Sequence, residues 1–211
     1  PAQRLRARRG GLRQRVAACG RMPAPIRPPL VEVPVSTIRR AQRADALLLA
    51  RLAERTFREA FAAVNTPEDM ELHCRTTYGE AIQAAEIADP DKVTLLCEVD
   101  AAAVGYAQVR WGRTPAFVVA RAPGEIQRIY LRADCHGKGV ARDLMDACLR
   151  EIAARGCDVA WLGVWEHNPR AIAFYRKYGF VEVGEHRFLL GNDLQRDVVL
   201  ARPLEQPAGP V

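Results

Sequence analysis

No stretch of the chain constrains its fold more than the one from Ile126 to Ile152. Ile126 to Arg132 is a run of large apolar and aromatic residues, the composition of a β-strand. It breaks at a short loop holding Gly137 and Gly139, and from Val140 a helix is expected. There Ala141, Leu144, Met145, Cys148, Leu149 and Ile152 recur every three or four residues as an apolar stripe. Lys138, Arg142, Asp143, Asp146, Arg150 and Glu151 fall mostly outside it. A strand, a glycine loop and a helix N-terminus in that order make an anion site. The first amides of the helix lack partners, the macrodipole is positive there, and glycine lets a phosphate come close. Two common phosphate loops do not fit. A P-loop needs Ser or Thr after its lysine, but Lys138 is followed by Gly139. A dinucleotide fingerprint needs a third glycine where Arg142 stands, and an acid beyond the next strand, whereas Asp158 precedes that strand.

What remains is His136-x-x-Gly139-x-Ala141, which resembles the Q/R-x-x-G-x-G/A pyrophosphate loop of the GNAT superfamily of acetyl-CoA-dependent N-acetyltransferases. A second stretch agrees. After an apolar run from Val159 to Trp165 comes Asn168-Pro-Arg-Ala-Ile-Ala-Phe-Tyr175-Arg-Lys-Tyr-Gly179-Phe180. It is similar to the superfamily's N-x-x-A-x-x-x-Y-x-x-x-G-F signature at every named position. The residues also stand on their own physics: Asn168 caps a helix, Pro169 suits its first position, and Gly179 its end. The resemblance covers roughly residues 37 to 204, with its specific motifs between Glu125 and Phe180.

The rest of the chain reads as an α/β domain over residues 35–205, between a leader of residues 1–34 and a tail of residues 206–211, both expected to be disordered. Strands are expected at Ser36–Arg39, Val93–Val99 and Ala103–Trp111, the last two a hairpin about Asp100-Ala101-Ala102. Two more follow Phe180, at about Val181–Leu190 and Arg196–Leu204. With the runs 126–132 and 159–165 they make seven. Helices are expected at Asp45–Ala62, from the Thr66-Pro67 cap to Thr76, and from Gly79 or Glu80 to Ala88. The resemblance implies the GNAT fold: a mixed, mostly antiparallel seven-stranded sheet, splayed between its fourth and fifth strands, with helices on both faces.

The formal net charge is +6, but seven arginines and no acid lie in residues 1–21. With those seven set aside from the 31 lysines and arginines, 24 remain against 25 acidic residues. The basicity belongs to the leader, so no nucleic-acid partner is expected of the domain. Met22 is the expected native start, with residues 1–21 not native. No apolar run is long enough to span a bilayer, and no membrane partner is expected. The six cysteines include no C-x-x-C pair; they and the histidines have no metal-ligand spacing, and a cytoplasmic setting without disulfides or metal is expected. His73, His167 and His186 are read as surface or packing residues.

The resemblance implies a chemistry and the residues for it. Acetyl-CoA is the co-substrate, acetylating a primary amine by direct attack in a ternary complex. Ile129, Tyr130 and Leu131 would meet the pantetheine arm, and His136, Gly137, Lys138, Gly139, Val140 and Ala141 the pyrophosphate. Asn168 and Phe174 would add cofactor contacts. Glu125 stands where many members carry a general-base glutamate, acting directly or through water, and Tyr175 matches the tyrosine that protonates the leaving thiolate. A backbone amide near Leu162 or Gly163 would hold the oxyanion. Asn65-Thr66-Pro67-Glu68-Asp69-Met70 and the late set His186, Phe188, Gly191, Asp193, Gln195 and Asp197 resemble the PaiA-like branch, associated with polyamine acetylation. Glu68, Asp69 and Glu71 would then attract the cation. The alternatives are a CoA-binding regulator or sensor, and an enzyme acting on protein N-termini or lysines. Oligomeric state is not readable from the sequence, and homodimers are common in the superfamily it resembles.

Overall fold

The structure, a computed structural model, describes residues 36–205. The expected leader and tail lie outside the described residues, as do residue 35 and Met22. The strands are β1 (Ser36–Arg40), β2 (Lys92–Val99), β3 (Ala102–Trp111), β4 (Pro123–Leu131), β5 (Val159–Trp165), β6 (Val181–Leu190) and β7 (Asp193–Pro203). The helices are α1 (Ala46–Phe61), α2 (Pro67–Thr77), α3 (Glu80–Ala88), α4 (Val140–Ala154) and α5 (Pro169–Lys177). One seven-stranded sheet runs β1-β2-β3-β4-β5-β7-β6, with β4 and β5 parallel and every other neighbouring pair antiparallel. This is the GNAT fold expected above.

Both faces of the sheet are covered. Under α4 and α5, Leu144, Met145, Cys148 and Ile152 pack against Ala107, Val109, Ile126, Ala160, Leu162 and Leu200. On the other face, Leu49, Leu52, Ala53 and Phe57 of α1 pack with Met70, Leu96, Tyr106 and Leu190. The turn signals act as their chemistry requires. The Asp69 amide donates to Thr66 Oγ1 at 3.2 Å, and the Ala171 amide to Asn168 Oδ1 at 3.1 Å, capping α2 and α5. The β2–β3 hairpin turns through Asp100 and Ala101, both at positive φ (51° and 60°). No helix among the described residues is long and apolar enough to cross a membrane.

One boundary differs from expectation in a way that matters. β4 begins at Pro123, not Ile126, so Glu125 lies inside the strand and opposite Trp161 of β5. The fourth strand reaches back because Gly124 lets Ile152 and Cys157 press against it; a Cβ there would lie 2.6 Å from Ile152 Cγ2.

Candidate active site

The site begins where two neighbours part. β4 pairs with β5 only at Pro123–Val159, Gly124–Ala160 and Glu125–Trp161. Beyond that, β4 continues to Leu131 against β3, and β5 to Trp165 against β7. The facing edges of Ile126–Leu131 and Leu162–Trp165 therefore have no partner strand, as the seven-strand resemblance implied. A bulge opens this wedge. Val109 sits opposite Ile126 but Gln108 opposite Arg128, leaving Gln127 as an extra residue. Its side-chain Oε1 is buried without a hydrogen-bond partner among the described residues. The bulge escaped the sequence reading, although Ile126, Ile129 and Leu131 carry its trace. All three face α4, and the first step between them is three residues where an unbroken strand takes two.

At the open end of the wedge, the chain turns through Ala133–Cys135 into the glycine loop. Gly137 and Gly139 take φ of +77° and +84°, and α4 starts at Val140 with no side-chain cap. The amides of Gly137, Lys138, Gly139, Val140 and Ala141 donate to no group among the described residues. Five consecutive free amides at the N-terminus of a fifteen-residue helix form a nest for an anion. His136 is not idle beside them: its Nδ1 lies 3.2 Å from Arg170 Nη1, so the loop meets the first turn of α5. Asn168 begins that helix, its Oδ1 already spent on the cap. Phe174 packs its ring against Tyr175 and Tyr178.

Tyr175 is 8% exposed, and its hydroxyl has no hydrogen-bond partner among the described residues. Burial raises its pKa above the ordinary tyrosine value, with Tyr130 and Cys148 adding to the effect. It is held as a neutral O–H donor with nothing to donate to, which suits a partner that carries electrons and arrives from outside.

The other face of the wedge is the acceptor side. Phe61, at the end of α1, bridges the gap, with its ring 6.3 Å from Tyr130 of β4 and 6.1 Å from Trp165 of β5. Glu125 is 5% exposed at the closed end. Arg110 Nε donates to its Oε2 at 2.5 Å and Arg110 Nη2 to its Oε1 at 3.1 Å. Both carboxylate oxygens are thus occupied, and taking a proton directly would break a two-pronged ion pair. Arg110 was absent from the sequence reading because its partner is fifteen residues away and set by strand register.

Two of the three residues expected to attract a cation, Asp69 and Glu71, have other duties. Asp69 Oδ1 accepts from the Asn192 amide at 2.7 Å and its Oδ2 from Thr66 Oγ1 at 2.7 Å, tying α2 to the β6–β7 turn. Glu71 pairs with Arg58 at 2.9 Å. His73 is buried, stacked on Phe57 at 4.4 Å, as a packing residue should be. His186 is part-exposed and packs over the sheet. It sits opposite Asp197 in the β6–β7 ladder, with Nε2 at 3.5 Å from Asp197 Oδ2, and both lean over Gly163 of β5. A separate groove of about 400 Å³ lies between β1 and α4, lined by Ile38, Arg40 and Arg150, and contains none of the residues above.

These features fit a CoA thioester: free amides for a diphosphate, an unpaired strand edge for a peptide-like arm, and a buried hydroxyl near its end. Comparison with known proteins gives the family and the fold. Residues 50–180 match the model of the acetyltransferase (GNAT) family. The chain is 33% identical to the uncharacterized N-acetyltransferase in the pepI 3′ region of Lactobacillus delbrueckii subsp. lactis, over 72% of this chain and 88% of that one. The PaiA N-acetyltransferase of Thermoplasma acidophilum, solved in complex with coenzyme A, superimposes with a TM-score of 0.65 at 19% identity, covering 81% of this chain and 99% of that one. YncA of Salmonella typhimurium, solved with its cofactor acetyl-CoA, gives 0.62 at 19% identity, covering 84% and 98%.

Proposed function

Because the chain belongs to the GNAT family of acetyltransferases, we propose that it acetylates a primary amine of a small molecule, a polyamine being the class tested first. The observation that carries this reading is the run of five free amides, Gly137 to Ala141, at the mouth of the β4–β5 wedge. These amides, with His136 beside them, would hold the pyrophosphate. Ile129, Tyr130 and Leu131 offer the main-chain edge for the pantetheine arm, while Asn168 and Phe174 flank it from α5. Bound there, acetyl-CoA supplies an acyl carbon activated by a thiolate leaving group. Tyr175 donates the proton that the departing sulfur needs. The edge of β5 from Leu162 to Gly163 supplies an amide for the developing oxyanion. Glu125, locked to Arg110, gives the closed end a fixed carboxylate but does not take the amine's proton itself.

A cationic acceptor suits the other face. Asp197 and Asp193 line the β7 side, with Gln195 Nε2 donating to Asp193 Oδ2 at 2.9 Å and to Asn65 Oδ1 at 2.6 Å. The rings of Phe61 and Trp165 lie alongside and offer π faces to an ammonium. The test is a panel of spermidine, tyramine and an alanine-initiated peptide with acetyl-CoA, reading thiol release. Turnover of spermidine above the others supports the reading; turnover of the peptide alone moves the acceptor to protein N-termini, and no turnover leaves a CoA-binding regulator.

A further inference from the structure

We infer that His186, held by Asp197, is the group that takes the proton from the acceptor ammonium. This rests on the reading of the chain as an amine acetyltransferase. An alkylammonium has a pKa near ~10 and cannot attack until it loses a proton. Glu125 has both oxygens committed to Arg110. His186 and Asp197 stand further along the wedge, where β5 has left β4. A Cβ on Gly163 would lie 2.7 Å from His186 Nε2 and 3.4 Å from Asp197 Oδ2. The imidazole is therefore pressed against the β5 backbone, two residues beyond the last β4–β5 pair, and only glycine leaves room for it.

The opposite side of the gap converges on the same point. Burial above all pushes the Tyr130 hydroxyl up to about 12, with Arg128 opposing and the Asp197 carboxylate adding. Tyr130 in turn acts on Tyr175. Tyr175 packs in the core under α4 and His186 lies over Gly163 on the other face, so proton donor and proton acceptor stand on opposite faces of the sheet beside the unpaired edges. Exposure follows the same division of labour: the His186 side chain is 34% accessible and can meet a substrate, while Asp197 at 14% is largely covered. With Nε2 facing Asp197 Oδ2 at 3.5 Å, Nδ1 is the atom left to accept the proton, and the nearby carboxylate stabilises the cation that forms. The titratable groups facing this position are Asp197 of β7 and Tyr130 of β4. His73 lies beyond Phe188, His167 beside Trp165, and the Glu125–Arg110 pair beyond Trp161.

The step balances. An ammonium N–H proton passes to His186, and the freed lone pair forms the C–N bond at the acetyl carbonyl carbon. The C–S electron pair leaves with sulfur, which takes the Tyr175 proton. The nitrogen's second proton replaces the one lost by Tyr175, and His186 releases its own to solvent.

The experiment follows kcat/KM against pH for spermidine, tyramine and the alanine-initiated peptide, in wild type, His186→Gln and Asp197→Asn. Calorimetry with acetyl-CoA serves as the check on folding. His186→Gln should bind acetyl-CoA normally yet lose about 100-fold in kcat/KM at pH 7. The deficit should shrink as pH approaches the amine's own pKa, where the free base arrives unaided. Asp197→Asn should lower kcat/KM with the same dependence on pH as His186→Gln but by less, because the imidazolium formed in the step loses its counter-charge. An active wild type whose profile His186→Gln leaves unchanged, or lowers equally at every pH, overturns the assignment alone. A wild type that acetylates none of the three amines overturns the amine reading and this inference with it.

Discussion

Tyr175 shows how far a single residue could be understood before its surroundings were visible. Its spacing from Asn168 and Gly179 marked it, but its isolation did not follow from the sequence: the residue is buried and its hydroxyl has no partner among the described residues. If that hydroxyl protonates the departing sulfur, Tyr175→Phe should lower kcat about 100-fold and leave the KM for acetyl-CoA unchanged. A normal turnover number would remove the role. His73 offers a test of a different kind, because it packs rather than reacts. Burial, reinforced by Arg128, lowers its pKa below 6.5, so the unfolded chain binds the extra proton more readily. Stability is then complete above pH 6.5 and declines as pH falls from there towards the folded value. Urea titrations at several pH values should show that slope in wild type and find it flattened in His73→Phe. Equal slopes would mean that other groups set it. What His186 and Arg110 pair with was illegible for a common reason. Their partners, Asp197 and Glu125, lie eleven and fifteen residues away on neighbouring strands, and bulges set which residues meet.

Among the elements, the helices were the most legible, since Thr66-Pro67 and Asn168-Pro169 announce their caps and Gly179 an end. The start of β4 was the least, because Gly124 and Glu125 do not look like strand residues until α4 and Arg110 are packed against them. The β2–β3 hairpin was foreseen, yet its turn puts Ala101 at a φ of 60°, a region that costs a side chain about 1 kcal/mol. Ala101→Gly should therefore raise stability by about 1 kcal/mol, or ~2–4 °C in Tm, since the site is exposed and remote from the wedge. A destabilised variant would show that the turn carries no such strain. The β6–β7 turn is held more firmly. A Cβ at Gly191 would fall 2.5 Å from the Asp69 Cα, so backbone meets backbone there.

At the scale of the whole molecule, the described sheet is two halves, β1–β4 and β5–β7, joined by three residue pairs and bridged on one face by Phe61. The split between the fourth and fifth strands came from the resemblance; the order of the strands in the sheet and the bulge that widens the split came from the structure. A ligand that enters the wedge touches both halves and the glycine loop together, so its binding should stabilise the folded state as a whole. At a concentration about 100 times its Kd, that amounts to ~2.7 kcal/mol, several degrees in Tm. Everything proposed for catalysis presumes that the amides of residues 137–141 hold the diphosphate. The most direct measurement is calorimetry of acetyl-CoA against wild type and Gly139→Asp, with melting curves in parallel. One-site binding and a raised Tm in wild type, both lost when a carboxylate is set at residue 139, is the result expected. No heat and no thermal shift in wild type, or undiminished binding in Gly139→Asp, would contradict it.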